Sequence, residues 1–402
     1  MKRRSSEVEA ALARIDRDSL RRERRTIEEF LEPHSRVTLS ANGRRLLDFS
    51  SNDYLGLARH PEVIAAMSDC AARCGAGSGA SHLVTGHGIE HARLEEELAH
   101  FAGRERALLF STGYMANLAV ICTLAGRGDW VLLDRLSHAS LIDAGMLSGA
   151  RFKRYPHADA AAAESLLCGL SAKAAVVATD GVFSMDGDIA PLDALARSSR
   201  AHNAWLVVDD AHGLAVLGSS GRGTLEHFGL DTESVPVLVG TLGKALGSFG
   251  AFVAGSDDLI ELLMQRARSY IYTTALPQPV AAATRKALQI AQRETWRREK
   301  VLALTARFRS AASQLGVPLL AVGPQPLIPI QPIVLGGSKA ALVAQQELLT
   351  RGFCVVAIRP PTVPRGGARL RVTFSAAHSE AQVDALAEAL GAVCARHSRD
   401  DE

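Results

Sequence analysis

The stretch Trp205-Leu206-Val207-Val208-Asp209-Asp210-Ala211-His212-Gly213 decides the fold. An apolar run without interruption gives way at once to two carboxylates, an imidazole and a glycine. A half-buried strand would alternate polar and apolar residues. A short unbroken run marks a strand covered on both faces, as in a parallel sheet flanked by helices. The same pattern recurs on either side. Ala174–Thr179 runs into Asp180-Gly181-Val182-Phe183-Ser184-Met185-Asp186-Gly187, and Val235–Val239 into Gly240-Thr241-Leu242-Gly243-Lys244. Further buried strands are predicted at Ala107–Phe110, Trp130–Leu133 and Ala251–Ala254. Helical segments at Tyr114–Leu124 and Leu192–His202 separate several of them. Alternating strands and helices predict an α/β fold with a mainly parallel sheet.

Outside this block the rhythm changes. Residues 1–31 read as a charge-rich helical arm, Leu46–Ser50 as a short strand, and Pro61–Cys74 as a helix with proline in its first turn. A helix follows from Ile89 to Phe101. Pro277–Leu315 is one long helical pattern able to join two domains. Beyond it lie strands at Ile330–Leu335, Cys354–Ile358 and Arg369–Thr373, and helices at Lys339–Arg351 and Glu380–Cys394. The chain therefore divides into an N-terminal arm and strand (1–50), a large domain (51–285) and a small C-terminal α+β domain (286–402).

Composition narrows the function. The 402 residues are 47% hydrophobic and 22% charged, enough for a normal core. A net charge of +2 argues against a dedicated nucleic-acid or membrane-surface binder, and 5% aromatic residues argue against base-stacking platforms. The cysteines Cys70, Cys74, Cys122, Cys168, Cys354 and Cys394 form no C-x-x-C pair and read as reduced thiols. No run approaches the roughly 18 apolar residues of a membrane span. Met1-Lys2-Arg3-Arg4 leads into Ser5-Ser6-Glu7-Val8-Glu9 and not into an apolar stretch, so no signal peptide and a cytoplasmic location are expected.

Several motifs fail on inspection. Gly75-x-Gly77-x-Gly79 follows a helix, where a dinucleotide fingerprint must follow a strand. Gly243-Lys244 lacks the first glycine and the Ser/Thr of a P-loop, with Leu238 and Ala245 in their places. No G-x-S-x-G elbow occurs. His87-Gly88-Ile89-Glu90-His91 matches the inverted zinc-protease pattern, but His87 sits between two glycines and no third ligand is evident. A zinc protease stays as the alternative of a different class, and a non-catalytic cofactor-binding protein as a third.

What remains is the set of groups at the strand ends, where parallel sheets bind ligands. A lone lysine is usually a solvated surface residue. A lysine in a small-residue loop after a buried strand can be desolvated, which makes its amine a Schiff-base nucleophile. A carboxylate at a neighbouring strand end can pair with a pyridinium nitrogen. Taken singly, Ser184 and Thr241 read as turn hydroxyls and His138 as a capping or core histidine.

At these residues the chain resembles the pyridoxal-phosphate enzymes of aspartate-aminotransferase fold (fold type I), and within them the α-oxoamine synthases. The matching segments are Ser51-Asn52-Asp53-Tyr54-Leu55-Gly56-Leu57, Arg135-Leu136-Ser137-His138-Ala139-Ser140, Thr179–Asp188, Val208–Gly213 and Thr241–Lys244. Ala357-Ile358-Arg359-Pro360-Pro361-Thr362-Val363-Pro364 is most similar to the branch that uses a pimeloyl thioester. The resemblance implies pyridoxal 5'-phosphate as cofactor and Lys244 as the lysine that bonds it. It implies that Asp209 meets the pyridine nitrogen, that His138 stacks on the ring, and that Ser184 and His212 reach the ring oxygen. Thr241 and the backbone at Gly113-Tyr114 would take the phosphate. Arg21, His138 and Thr362 would touch substrate. It further implies a homodimer, with Ile271-Tyr272-Thr273-Thr274-Ala275 reaching the partner's phosphate through Thr274 or Thr273. The implied reaction is decarboxylative condensation of L-alanine with a pimeloyl thioester on acyl carrier protein or CoA, a step of biotin synthesis. A glycine-using acyltransferase is the alternative.

Overall fold

The computed structural model describes residues 2–31, 36–39, 43–170, 175–321 and 327–400. Two compact units emerge. The larger spans residues 53–184 and 188–298, and the smaller residues 1–52, 185–187 and 299–402.

The smaller unit begins with α1 (Lys2–Arg17), followed by β1 (Ile27–Leu31), β2 (Arg36–Leu39) and β3 (Arg44–Asp48), an antiparallel meander. The helical reading of residues 1–31 thus holds only to Arg17. Arg21, Arg22, Arg24 and Arg25 lie in the irregular stretch between helix and strand.

In the larger unit, α2 (Pro61–Cys74) and α3 (Ile89–Ala102) lead into β4 (Arg106–Phe110) and α4 (Gly113–Leu124). Then come β5 (Trp130–Asp134), α5 (Ala139–Leu147), β6 (Arg151–Tyr155), α6 (Ala160–Cys168), β7 (Ala175–Asp180) and α7 (Leu192–Ala201). β8 (Trp205–Asp209), α8 (Thr224–Phe228), β9 (Val237–Thr241), β10 (Ala251–Gly255), α9 (Asp257–Arg266), α10 (Arg268–Ile271) and α11 (Gln278–Arg293) complete it. Ala174, read as the start of β7, lies outside the described residues. The seven strands form one sheet in the order β4-β10-β9-β8-β7-β5-β6. β10 runs antiparallel to both its neighbours, and the other pairs are parallel.

The unbroken apolar runs have a direct cause. Val131, Leu133, Val176, Ala178, Val207, Val237 and Val239 point into one core with α4, α5 and α9. Leu132, Val177, Leu206, Val208 and Leu238 point into a second core with α6 and α7. β5, β7, β8 and β9 bury both faces, so neither set of their positions can be polar.

The smaller unit resumes within α12 (Trp296–Gln314). It adds β11 (Ile330–Gly336), α13 (Ser338–Thr350), β12 (Phe353–Cys354), β13 (Val356–Ile358), β14 (Ala368–Thr373) and α14 (Glu380–Asp400). β11-β14-β13 is an antiparallel sheet over a core that includes Phe308, Leu370, Phe374 and Leu390. The strand read at Cys354–Ile358 is two strands in different sheets, because β12 pairs with β3 and β13 with β14.

The divisions read from sequence shift for physical reasons. The 285/286 boundary falls inside α11, which packs on α2 and α3 of the larger unit. Residues 1–50 group with the C-terminal residues because Phe353 and Cys354 pair with Leu47 and Asp48. The single helix read over Pro277–Leu315 breaks at Glu294-Thr295 into α11 and α12.

A candidate active site at the carboxyl ends of the parallel strands

β7, β8 and β9 end side by side, and each carries a polar group into the turn that follows. Asp180 and Asp209 are paired residues of β7 and β8, so their Cα atoms face each other across the ladder. Lys244 lies in the turn from β9 to β10. That turn is closed by Leu242 N–H to the Gly250 carbonyl (2.9 Å) and Gly247 N–H to the Lys244 carbonyl (2.8 Å). Gly247 has φ +60°, and a Cβ there would stand 2.2 Å from the Ala58 amide nitrogen. Only glycine lets the lysine turn come this close to the Asp53–Ala58 turn. The latter is tied by Asp53, whose carboxylate accepts from the Leu57 and Ala58 amides.

That approach assembles a chain of three side chains. Lys244 Nζ lies 2.9 Å from His212 Nε2, and His212 Nδ1 lies 2.7 Å from the Tyr54 hydroxyl. Two proton arrangements satisfy it. An ammonium donates to Nε2 while Nδ1–H donates to the tyrosine oxygen. Alternatively, a neutral amine accepts from Nε2–H while the tyrosine hydroxyl donates to Nδ1. Lys244 can therefore lose a proton without stranding any atom of the chain.

Asp209 is 6% exposed. Its Oδ2 accepts from Asn117 Nδ2 at 2.7 Å and its Oδ1 from the Ala211 amide at 3.1 Å. The same Asn117 nitrogen donates to Ser140 Oγ, which lies 2.7 Å from His138 Nδ1. His138 caps α5, and its own amide donates to Asp180. Burial holds the His138 imidazole below its ordinary pKa; the Asp209 charge opposes this and Lys244 reinforces it. It is a neutral ring at neutral pH, suited to lie on an aromatic face. Burial, and next the charge of Asp209, push the Asp180 carboxyl well above its ordinary value. Asp210 turns away from this group. It is fully buried and accepts from the Thr224 amide at 2.7 Å, and burial raises its carboxyl to about 7.

The remaining residues read from sequence fall into three groups. Ser184, half-buried, sits in the loop after β7, which is closed by Phe183 N–H to the Asp188 carbonyl. Thr241 ends β9, its hydroxyl on the Gly250 carbonyl at 3.2 Å. Gly113 and Tyr114 open α4 behind the capping hydroxyl of Thr112. No atom stands within 4 Å of where a Gly113 Cβ would be, and the Tyr114 hydroxyl donates to Asp143. Thr273 spends its hydroxyl on the Ser269 carbonyl at 2.6 Å, whereas Thr274 is exposed and bridges Ser81 through its backbone. Arg21 and Thr362 belong to the smaller unit. Arg21 pairs with Asp16 at 2.7 Å, and it is Arg22 that reaches the Thr362 hydroxyl, at 3.3 Å.

Sequence reasoning missed Asn117, Ser140 and Tyr54 as members of the site. Asn117 did leave a signal. It is the one amide in the apolar helix α4, and it is 1% exposed.

The zinc-protease reading fares badly. The Glu90 carboxylate is held by Arg285 at 2.6 Å, which removes the general base. His91 accepts from the Gly88 amide at Nδ1 and contacts the Leu276 carbonyl at Nε2, so both ring nitrogens are committed.

The donor set suits a phosphorylated pyridine aldehyde: an amine for the carbonyl, a buried carboxylate for the ring nitrogen, a neutral imidazole for the ring face, and open helix N-terminal amides for the phosphate. Residues 44–390 match Aminotransferase class I and II. The chain is 60% identical over 355 residues to the 8-amino-7-oxononanoate synthase of Cellvibrio japonicus, covering 88% of each chain. It is 59% identical over 381 residues to that of Methylococcus capsulatus, covering 95% of this chain and 96% of the other. The chain belongs to the 8-amino-7-oxononanoate synthases of that family. A serine palmitoyltransferase of S. paucimobilis, solved with a bound PLP–myriocin aldimine, superposes with a TM-score of 0.92 at 29% identity over 98% of both chains. As a member of the 8-amino-7-oxononanoate synthases, the chain has the fold-type-I architecture expected from its strand ends. It is a pyridoxal-phosphate-dependent acyltransferase, and pyridoxal phosphate is its cofactor. Among the described residues no helix is long and apolar enough to cross a membrane.

Proposed function

We propose that this chain condenses L-alanine with a pimeloyl thioester, releasing CO2 and the free thiol carrier and forming 8-amino-7-oxononanoate for biotin synthesis. The observation that carries the chemistry is the Lys244–His212–Tyr54 chain beside the buried Asp209. The substrate choice rests on the shared name of relatives at 57–60% identity. When bound, the cofactor supplies an electron sink for the carbanion at the amino acid's Cα.

The chain's own residues do the rest. Lys244 would hold the cofactor at its carbonyl, and its Nζ would take the proton from the amino acid's Cα. A general base must be neutral and close, and the His212 contact permits the neutral amine. Asp209 keeps the ring nitrogen protonated, and Asn117 fixes the orientation of its carboxylate. His138 covers the ring face, and Ser184 and His212 hold the ring oxygen. Thr241 and the amides at Gly113-Tyr114 hold the phosphate, with Thr274 of a second copy completing the set. Thr274 is the better of the two threonines for this, because the Thr273 hydroxyl is already spent. Arg21 and Thr362 contact the acyl substrate.

A free-thiol release assay tests the reading, with alanine, glycine and serine each paired with pimeloyl-CoA and pimeloyl carrier protein. Alanine should turn over fastest. Faster release with glycine would move the chain to the glycine-using branch.

A further inference from the structure

His157 follows β6 and has no part in the chemistry above. Its Nδ1 lies 3.0 Å from Asp134 Oδ1 and its Nε2 lies 2.8 Å from Asp188 Oδ2. An ionised carboxylate only accepts hydrogen bonds. Both ring nitrogens facing carboxylates means that both carry protons, so the ring is an imidazolium. The edge-on Phe183 ring, with centroids 4.4 Å apart, fixes its plane. Its pKa agrees. Burial alone would lower it, but the hydrogen bonds to Asp134 and Asp188 outweigh that and carry it to about 10.

The two carboxylates are not interchangeable. Asp134 ends β5 and builds the turn leading to His138. Its Oδ1 accepts from the Leu136 amide at 2.7 Å, its Oδ2 from the Ala158 amide at 2.8 Å, and its carbonyl from the Ser137 amide at 3.1 Å. Asp188 closes the loop that carries Ser184, through its carbonyl on the Phe183 amide at 2.9 Å. One turn presents the residue assigned to the ring face, the other the residue assigned to the ring oxygen.

We infer that His157 is a positioning residue: its imidazolium, clamped between Asp134 and Asp188, sets the spacing of the His138 turn and the Ser184 loop, and so the pose of the pyridine ring. The inference rests on the cofactor site described above. His157 touches neither cofactor nor substrate and acts through the two loops it joins. The carboxylates need the cation in turn. Without it, two partly or fully buried charges face each other across the gap, an arrangement that costs more than the loss of one bond.

The test uses the holoenzyme, His157→Gln, Asp188→Asn and the double variant. It follows three readouts: borohydride fixation of the cofactor to Lys244, the visible circular dichroism of the bound cofactor, and the rate of cofactor release after dilution. His157→Gln should still be labelled at Lys244. Its visible dichroism should fall, and cofactor release should quicken by at least roughly tenfold, the lower end for loss of one charge-assisted hydrogen bond. Asp188→Asn cuts one arm only and should shift both readouts in the same direction. The double variant should release cofactor no faster than His157→Gln, because the two residues form one device. If His157→Gln does not fold, Asp188→Asn carries the test. Unchanged dichroism and release in the folded single variants would overturn the inference. Absence of label on Lys244 in the unmodified enzyme would instead overturn the cofactor-site assignment.

Discussion

Asp209→Asn separates a ring-nitrogen partner from a merely buried carboxylate. In the native site Asp209 receives two donors, Asn117 Nδ2 at 2.7 Å and the Ala211 amide at 3.1 Å, and keeps lone pairs for a third. A carboxamide has one acceptor oxygen in place of two. Turned toward Asn117 it sets its own N–H groups against the Ala211 amide; turned the other way it loses Asn117. In neither orientation does it offer a negative charge to a protonated ring nitrogen. A hydrogen bond to a charged group contributes about 1.5–3 kcal/mol net. At 1.36 kcal/mol per tenfold, that is a loss of roughly ten- to a hundred-and-fifty-fold in the step that forms the carbanion. Burial places the loss at the upper end, about a hundredfold. The assay is exchange of the alanine Cα proton in D2O without acyl donor, which isolates that step from acyl transfer.

Asp210→Asn is the matched control. That side chain faces the Thr224 amide, so its exchange should stay within about threefold of the unmodified enzyme, less than the loss of one such bond. Its carboxyl sits near 7 in the fold against 3.8 ordinarily. Ionising it therefore costs the native state, and stability should decline as pH rises from 3.8 toward about 7. Chemical denaturation across that range should show the slope flattened in Asp210→Asn. Near-normal exchange in Asp209→Asn, or an equal loss in Asp210→Asn, would refute the assignment.

Two further outcomes are expected. Lys244→Ala should retain weak cofactor binding by dialysis but yield no borohydride-fixed peptide, and in the unmodified enzyme the label should fall on Lys244 alone. Subunit exchange between Lys244→Ala chains and chains carrying Thr273→Val with Thr274→Val should restore part of the activity, since one site per mixed dimer escapes both lesions. Demonstrated exchange without recovery would mean each chain builds its site alone.

The sheet was legible because burial on both faces forbids polar residues, so β5, β7 and β8 stand out as unbroken runs. Strand direction is not written in such a run, and the antiparallel course of β10 went unread. β6, Arg151-Phe152-Lys153-Arg154-Tyr155, is an edge strand with four exposed residues and carries no apolar signature. The break between α11 and α12 falls at Glu294-Thr295, with neither glycine nor proline to mark it. At the site, Lys244, Asp209 and His212 could be read from their places at strand ends. Tyr54 could not, since its contact with His212 joins elements far apart in sequence, and Asn117 left only its place as the one amide of an apolar helix. The choice between neighbouring arginines was not legible for a related reason. Arg21 and Arg22 differ only in which direction an extended chain turns them, and that depends on residues some 340 positions away.

β4 stands at the sheet edge and its ladder is to β10, about 145 residues further along the chain. During synthesis at about 5–20 residues per second, β4 emerges roughly 7–30 s before its partner. For that interval Ala107-Leu108-Leu109-Phe110, all buried in the finished fold, has an open row of amides and carbonyls and no strand to pair with. Unpaired apolar strands of this kind are templates for association with other chains. The insertion of β10 between β4 and β9 thus leaves the nascent chain with an unpaired apolar edge until β10 arrives. It also delays the lysine turn, which β9 and β10 close between them, until the last strand of the large sheet has left the ribosome.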